Sequence, residues 1–335
     1  MPILSFDRCR AEIVAQTDLL RSAVAGADLT APVPTCPGWN LGQLLRHVGA
    51  AHRWVEEVVR TRASEPVEER INDLAGYTDE DAAVLDAWLA DGAARLAETL
   101  REAGPDARVW TVAPGGTPVF WARRMVHETA VHRCDAALVA GAEFDVDAEV
   151  AVDALDEWMD FGTLAQVFEE SPGIRDLLGP GRSLHLHATD APPEAGAEWL
   201  VDLSGEPVTW RRAHEKAAVA VRGPLSGLLL TIYGRKPAPA PRSRSSATRS
   251  CSTRGWTASA SGSGTRADSL SSNSPCLAGP VAEPHTPSDS GILFSRITHT
   301  PRKGCPRQRT PENPRRCRCE GGPSGCAASK TKDGL

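Results

Sequence analysis

Helical periodicity dominates the first 165 residues of this 335-residue chain, and it constrains the fold more than any other feature. Apolar residues recur at spacings of three and four in four long segments, each bounded by Gly, Pro or an N-cap residue. The predicted helices cover about residues 6–25, 40–59, 79–102 and 118–140. Four helices of about 20 residues joined by loops favour a four-helix bundle with a core that several helices reach.

A change of pattern after a fifth predicted helix, near residues 146–161, indicates a second and smaller domain. From Ser183 apolar residues alternate with polar ones, which is the period of a half-buried strand. Further strands are predicted near residues 199–203 and 217–221, and a helix near residues 223–233. We therefore expect an α+β chain with a bundle at residues 1–170 and a small α+β domain at residues 171–240.

The composition changes abruptly near Lys236. Residues 1–236 contain 22 Lys and Arg against 37 Asp and Glu, whereas residues 237–335 contain 15 against 6. The latter stretch has 17 Ser and 12 Pro but only eight Leu, Ile, Val or Phe, too few to bury a core. We expect residues 241–335 to form a disordered, low-complexity tail.

The residue types of segment 242–261 are those that GC-rich codons encode in any reading frame. When this segment is back-translated with GC-rich codons and read two nucleotides downstream, it gives an apolar strand followed by an amphipathic helix. We hypothesise that a frameshift replaced the end of the second domain and left that domain truncated.

Charge and hydropathy exclude several classes of partner. No run of 18 apolar residues is present, and Asp7, Arg8, Arg10 and Glu12 occupy the place of a signal-peptide core, so we expect a cytoplasmic protein with no membrane partner. The acidic body argues against specific nucleic-acid binding, because phosphate neutralisation needs a basic face. We expect a monomer that acts on a small molecule.

Three residues of the second and fourth predicted helices are candidate metal ligands. Glu128 and His132 are four residues apart and project together from one helix, and His47 lies next to apolar positions of the other. Two imidazoles and a carboxylate suit a borderline metal such as zinc and leave a fourth position open, as in catalytic sites. Spacing alone leaves open the alternative of an ordinary helical pair beside a buried structural histidine.

The sequence His127-Glu128 looks like the start of the zincin motif H-E-x-x-H, but the fifth position is Val131. His127 and His132 lie about 140° apart around a helix, so they cannot share one metal ion. Glu128 is therefore a candidate ligand rather than the base of a metalloprotease. Structural roles are expected for the remaining histidines of the foldable part, His52, His185, His187 and His214.

Three phrases of the sequence, PTCPGWNLGQLLRHVG at 34–49, FWARRMVHETAVHRCD at 120–135 and DEW at 156–158, resemble the mycothiol-dependent maleylpyruvate isomerase family. The resemblance extends from about residue 6 to Lys236. It implies a DinB-like four-helix bundle, a C-terminal domain with a sterol-carrier-protein-like fold, and zinc held by the residues at the matching positions, His47, Glu128 and His132. It also implies mycothiol as the thiol cofactor.

The expected chemistry follows from an open position on the metal. A zinc-bound thiol loses its proton at neutral pH, and the thiolate can add to an activated double bond. For a maleylpyruvate-like acid, addition allows rotation about the former double bond, and elimination then leaves the trans isomer. We expect Cys36 and Cys134 to be structural, so the thiol must come from the cofactor.

Two further residues are predicted to be catalytic. Asp135 could orient the thiol, move a proton or accept a hydrogen bond from a ligand imidazole, and the alternative is an intrahelical salt bridge. Arg222 could bind a substrate carboxylate through two hydrogen bonds, and the alternative is a surface salt bridge.

Two alternative functions remain beside the isomerase. A mycothiol S-transferase would conjugate the thiol to an electrophile and consume it, whereas an isomerase regenerates it. A non-catalytic metal-binding or small-ligand-binding protein would leave the reactivity of an added thiol unchanged.

Overall fold

Four long helices form the N-terminal half of the chain. The computed structural model describes residues 4–68, 71, 81–170 and 172–236, all of which belong to one compact unit. The helices are α1 (Phe6–Ala23), α2 (Leu41–Arg60), α3 (Ala82–Ala103) and α4 (Pro118–Ala140). Helix α4 packs against α1 and α2, and α3 packs against α1 and α2. The predicted helical positions are confirmed, with ends that differ from the prediction by at most three residues.

Local sequence signals fix the ends of the two helices that carry the candidate ligands. Asn40 is the N-cap of α2, and its side chain and that of Gln43 form a reciprocal capping box. Helix α4 begins with Pro118, whose missing N–H costs nothing in the first turn. It ends at Ala140 and is capped by Gly141, which adopts the left-handed conformation with φ 65° that glycine tolerates best.

Helix α4 is buried on nearly all sides, although it carries several charged residues. Trp121, Met125 and Val126 belong to its apolar contacts in the bundle core. The polar residues of α4 that are also buried are Arg124, His127, Glu128, Thr129, His132, Arg133 and Asp135. A buried charge must be paired to be tolerated, so this helix requires polar partners from its neighbours.

A four-stranded sheet forms the second part of the described chain. Its strands are β1 (Ser183–Ala188), β2 (Glu198–Asp202), β3 (Thr209–Arg212) and β4 (Val219–Gly223), in the order β3-β2-β1-β4. Strand β1 pairs with β2 in antiparallel and with β4 in parallel orientation. Strand β3 is absent from the sequence-based prediction, because its four residues show no run of apolar alternation.

Helices on one face of the sheet close the second core. Helix α5 (Ala148–Gly162) packs against α7 (Leu225–Ile232), and their apolar residues join Leu184, Leu186 and Trp199 of the sheet. A short helix, α6 (Ala165–Glu170), connects α5 to the segment before the sheet. The α+β fold class is confirmed. The domain boundary at residue 170 stays a prediction. Helix α5, which lies before that boundary, contributes apolar residues to the core of the sheet.

Two sequence-based hypotheses concern residues outside the described ranges. The tail predicted at 241–335 and the frameshift proposed from residue 242 both lie beyond residue 236, where the description ends. Within the described ranges, none of the helices combines the length and the apolar character that a membrane crossing requires.

Candidate metal centre

The three candidate ligands meet in the interior between α2 and α4. Oε1 of Glu128 is 3.1 Å from Nε2 of His47 and 3.2 Å from Nε2 of His132. All three side chains are buried, with relative exposures of 0% for His47 and 1% for each of the other two residues. One potential ligand atom of each residue lies within 4.8 Å of those of the other two. The structure therefore brings together the three residues that the sequence predicts.

Arg124 holds the second oxygen of the central carboxylate. Its Nη2 atom donates to Oε2 of Glu128 at 2.5 Å, and its Nη1 atom donates to Glu157 of α5. Because Arg124 and Glu128 are four residues apart on α4, one helical turn aligns them. The guanidinium thus fixes the carboxylate with Oε1 directed at both imidazoles.

Asp135 holds His132 from the opposite side of the ring. Its Oδ2 atom lies 2.9 Å from Nδ1 of His132, one turn along α4. A proton on Nδ1 would leave Nε2 with a free lone pair, which is the arrangement of a metal-bound histidine with an outer carboxylate partner. This contact favours one of the roles predicted for Asp135, the acceptance of a hydrogen bond from a ligand imidazole.

Arg235, in the segment after α7, neutralises Asp135. Its Nε atom donates to Oδ1 at 2.9 Å and its Nη2 atom donates to Oδ2 at 2.7 Å. The thiol of Cys36 lies 3.6 Å from the same Oδ2 atom. Asp135 is therefore paired with an arginine that is distant in sequence, not with a neighbouring arginine of α4. Sequence reasoning missed Arg235, although the pair Gly234-Arg235 belongs to the segment that resembles the family.

The electrostatic environment of the three residues is governed by burial and by their partners. Burial opposes ionisation of Glu128, but Arg124 and the two imidazoles hold the pKa of its carboxyl well below the ordinary value. Burial disfavours the charged form of His132, yet hydrogen bonds with Asp135, Cys36 and Glu128 raise its pKa well above the ordinary value. For His47 burial prevails and lowers the pKa.

This donor set fits a divalent ion of the zinc type. Two imidazole nitrogens and one carboxylate oxygen are ligands that zinc accepts. Arg124 orients Glu128 and Asp135 orients His132, whereas burial favours the neutral form of His47. The carboxylates of Glu128 and Asp135 lie on opposite sides of the His132 ring, 3.2 Å from Nε2 and 2.9 Å from Nδ1. Cys36, His132 and Asp135 form an adjoining group of possible ligands, but both oxygens of Asp135 already pair with Arg235.

Trp39 borders the centre. Its half-buried ring lies 4.9 Å from the ring of His47 and 6.4 Å from that of His132, measured between centroids. It belongs to the turn that precedes the α2 N-cap, so the capping box also places this ring. Trp39 thus places an aromatic ring beside both candidate imidazole ligands.

His127 faces away from the centre, as the helical angle predicts. Its ring lies between two carboxylates of α5, with Nε2 3.1 Å from Asp153 and Nδ1 2.9 Å from Glu157. His52 is also buried and contacts the hydroxyl of Thr129 at 2.8 Å. Both histidines have polar partners that account for their burial.

The buried cysteine of α4 is poorly suited to nucleophilic chemistry. Burial, assisted by the nearby charge of Asp135, raises the pKa of Cys134 to about 12. Cys36 is fully buried against Asp135. A structural role for each stays a prediction that these surroundings support.

Arg222 lies in the sheet and is exposed. Its Nη2 atom is 3.2 Å from Nε2 of His187, which β1 places opposite Arg222 in the parallel pair. The described contacts of Arg222 are therefore with the sheet and not with His47, Glu128 or His132. Its predicted role in binding a substrate carboxylate stays a prediction.

Two family models match the chain, and both describe domains of one family. The family model described as the mycothiol maleylpyruvate isomerase N-terminal domain matches residues 10–137, and that of the MDMPI C-terminal domain matches residues 149–258. The second match begins at α5 and extends past residue 236. Comparison with curated proteins finds no match.

Two solved structures are also similar to the chain. One is a crystal structure of the mycothiol-dependent maleylpyruvate isomerase, 19% identical, and the other is a histidine-to-alanine mutant of that enzyme, 18% identical. Each match covers 70% of this chain and 90% of the other, with a TM-score of 0.48.

Proposed function

The chain belongs to the mycothiol-dependent maleylpyruvate isomerase family, and from this premise we propose that it is a metal-dependent cis-trans isomerase of a small unsaturated acid. The observation that carries the proposal is the convergence of two imidazole nitrogens on one buried carboxylate oxygen, at 3.1 and 3.2 Å. We propose zinc as the metal, held by His47, Glu128 and His132, and mycothiol as the thiol cofactor. Action as a cytoplasmic monomer stays a prediction from the sequence.

When bound, zinc would supply a Lewis acid that favours the thiolate form of a coordinated thiol at neutral pH. The chain's own contribution is to prepare the ligands. Arg124 fixes the Glu128 carboxylate, and Asp135 would accept the Nδ1 proton of His132 and leave Nε2 for the metal. Asp135 thereby acts as a positioning residue, because its contacts reach the centre through His132.

The interior location of the centre would exclude water. His47, Glu128 and His132 are at most 1% exposed, so electrostatic interactions among them are stronger than in solvent. The high pKa of Cys134 supports an external thiol as the nucleophile. Trp39, at the border of the centre, would contact the cofactor or the acid as either approaches.

The activity can be tested with zinc-loaded protein, mycothiol and maleylpyruvate. We expect the trans isomer to accumulate while the concentration of free thiol stays constant, because elimination returns the thiol. Replacement His132→Ala should abolish this turnover, whereas His127→Ala, on the same helix but facing α5, should retain it. Formation of the trans isomer at equal rates in both variants would contradict the proposal.

The same assay separates the alternative functions. A mycothiol S-transferase would consume one thiol for each molecule of acid that disappears. A non-catalytic binding protein would retain zinc in the centre and change neither the acid nor the thiol. Either result would replace the isomerase proposal by the corresponding alternative.

A further inference from the structure

A second group of possible metal ligands lies on the sheet, away from the bundle. His185 and His187 alternate with Leu184 and Leu186 along β1, so they project from the face opposite the core shared with α5 and α7. The register of the antiparallel pair places Glu198 of β2 directly opposite His187. His214, after β3, completes the group, which we call the sheet cluster: His185, His187, Glu198 and His214.

The three histidines of the sheet cluster converge on a single atom. Oε2 of Glu198 lies 2.9 Å from Nε2 of His185, 2.8 Å from Nδ1 of His187 and 2.6 Å from Nδ1 of His214. The ring centroids are 5.6 to 5.9 Å apart. A carboxylate oxygen has two lone pairs, so three ring nitrogens around one oxygen exceed its normal hydrogen-bonding capacity.

We propose that the sheet cluster binds a divalent transition-metal ion, with zinc as the best fit. One potential ligand atom from each of the four residues lies within 4.8 Å of the others, which small side-chain rotations would reduce to a coordination shell. Three imidazoles and one carboxylate suit zinc, copper or nickel, and exclude a calcium-type site built from oxygen atoms. Four protein ligands would complete a tetrahedral shell, which is typical of structural zinc.

Such an ion would connect three segments of the second domain. His185 and His187 come from the central strand β1, Glu198 comes from β2, and His214 comes from the connection between β3 and β4. Exposure increases from the buried His185 to His214, whose side chain is 76% exposed. The metal would therefore fix the exposed connection to the buried strand, and the expected effect is stabilisation of the sheet.

Arg222 provides an internal check on this proposal. Its Nη2 atom donates toward Nε2 of His187 at 3.2 Å, which directs the proton of that ring to Nδ1 in the metal-free chain. Metal binding at Nδ1 must displace this proton and place a cation near the guanidinium. Replacement Arg222→Ala removes both obstacles, and we expect it to strengthen zinc binding by about fivefold through the lost charge repulsion.

The test uses the full-length chain with the bundle site disabled by His47→Ala, and Zn²⁺ alone as the probe. After chelator treatment, reloading and removal of free metal, bound zinc is counted per chain and the melting temperature is measured with and without zinc. We expect His47→Ala/His214→Ala and His47→Ala/Glu198→Gln each to bind one zinc fewer than His47→Ala. Both should also lose the zinc-dependent increase in melting temperature.

The substituted residue His214 and the control residue Glu215 are both exposed, so neither replacement should disturb the fold. The side chain of His214 is mostly exposed, so its replacement should leave the fold intact, as far-ultraviolet circular dichroism would verify. The control is His47→Ala/Glu215→Gln, because Glu215 is an exposed carboxylate next to His214 that pairs with Arg211. Equal zinc content in His47→Ala and both cluster variants would overturn the proposal, whatever the bundle site binds.

Discussion

Arg235 and Asp135 form a buried ion pair with two hydrogen bonds, 2.9 Å from Nε to Oδ1 and 2.7 Å from Nη2 to Oδ2. The arginine follows α7 and the aspartate lies on α4, so the pair joins the second domain to the candidate metal centre. Asp135 in turn contacts His132 at 2.9 Å. The position of a proposed zinc ligand thus depends on a residue about 100 positions away in the sequence.

Replacement Arg235→Ala should destabilise the protein by about 3–5 kcal/mol, because it leaves the Asp135 carboxylate buried without its cation. The free energy of unfolding is measured by urea denaturation. The matched control is Arg211→Ala, which removes an exposed pair with Glu215 and should change stability by no more than about 0.5 kcal/mol. A loss in Arg235→Ala as small as that expected for Arg211→Ala, about 0.5 kcal/mol or less, would show that the buried pair is energetically unimportant.

Replacement Asp135→Asn should lower kcat by about 10- to 100-fold while the zinc content of the loaded protein falls much less. The amide occupies the same space but removes the negative charge that supports the Nδ1 proton of His132. Zinc per chain, kcat and KM are measured on the same preparation, and we expect little change in KM. Parallel losses of zinc and turnover would assign Asp135 a purely structural role.

The bundle centre could be predicted from sequence because helical spacing fixes relative directions. Glu128, His132 and Asp135 lie on one stripe of α4, and the structure retains that stripe. His47 could be placed only as pointing inward. Its contact with Glu128 depends on how α2 packs against α4. Helical periodicity does not specify that packing, and only the family resemblance implies it.

The contacts that cross between segments could not be predicted. Arg235 reaches Asp135 because the segment after α7 comes back against α4, and the sequence around Arg235 does not indicate which carboxylate it will meet. The sequence predicts structural roles for His185 and His187. Glu198 becomes their neighbour only through the register of β1 with β2, which the sequence does not reveal. Arg222 illustrates the same limit, since the parallel pairing with β4 places it beside His187.

His52 should make stability depend on pH. Burial lowers its pKa to about 4, from an ordinary value of about 6.5. Between these values the unfolded chain binds a proton that the folded chain does not, so stability is fully present above pH 6.5 and is lost as pH falls toward 4. From pH 7 to pH 5 this single group accounts for a loss of about 2 kcal/mol.

The variant His52→Gln isolates that contribution. Glutamine can keep the hydrogen bond to Thr129 but does not titrate in this range. Urea denaturation at pH 7 and pH 5 should show that the wild-type chain loses about 2 kcal/mol more than the variant. An identical pH dependence in the two proteins would mean that His52 does not remain neutral in the folded state.

The most direct test of the account is zinc content in two variants of the same helix. His132 and His127 are equally buried on α4, but only His132 faces Glu128 and His47. After chelator treatment and reloading, His132→Ala should contain one zinc per chain fewer than the wild type, and His127→Ala should match the wild type, with helix content retained in both. Full zinc content in His132→Ala would contradict the proposed ligand set.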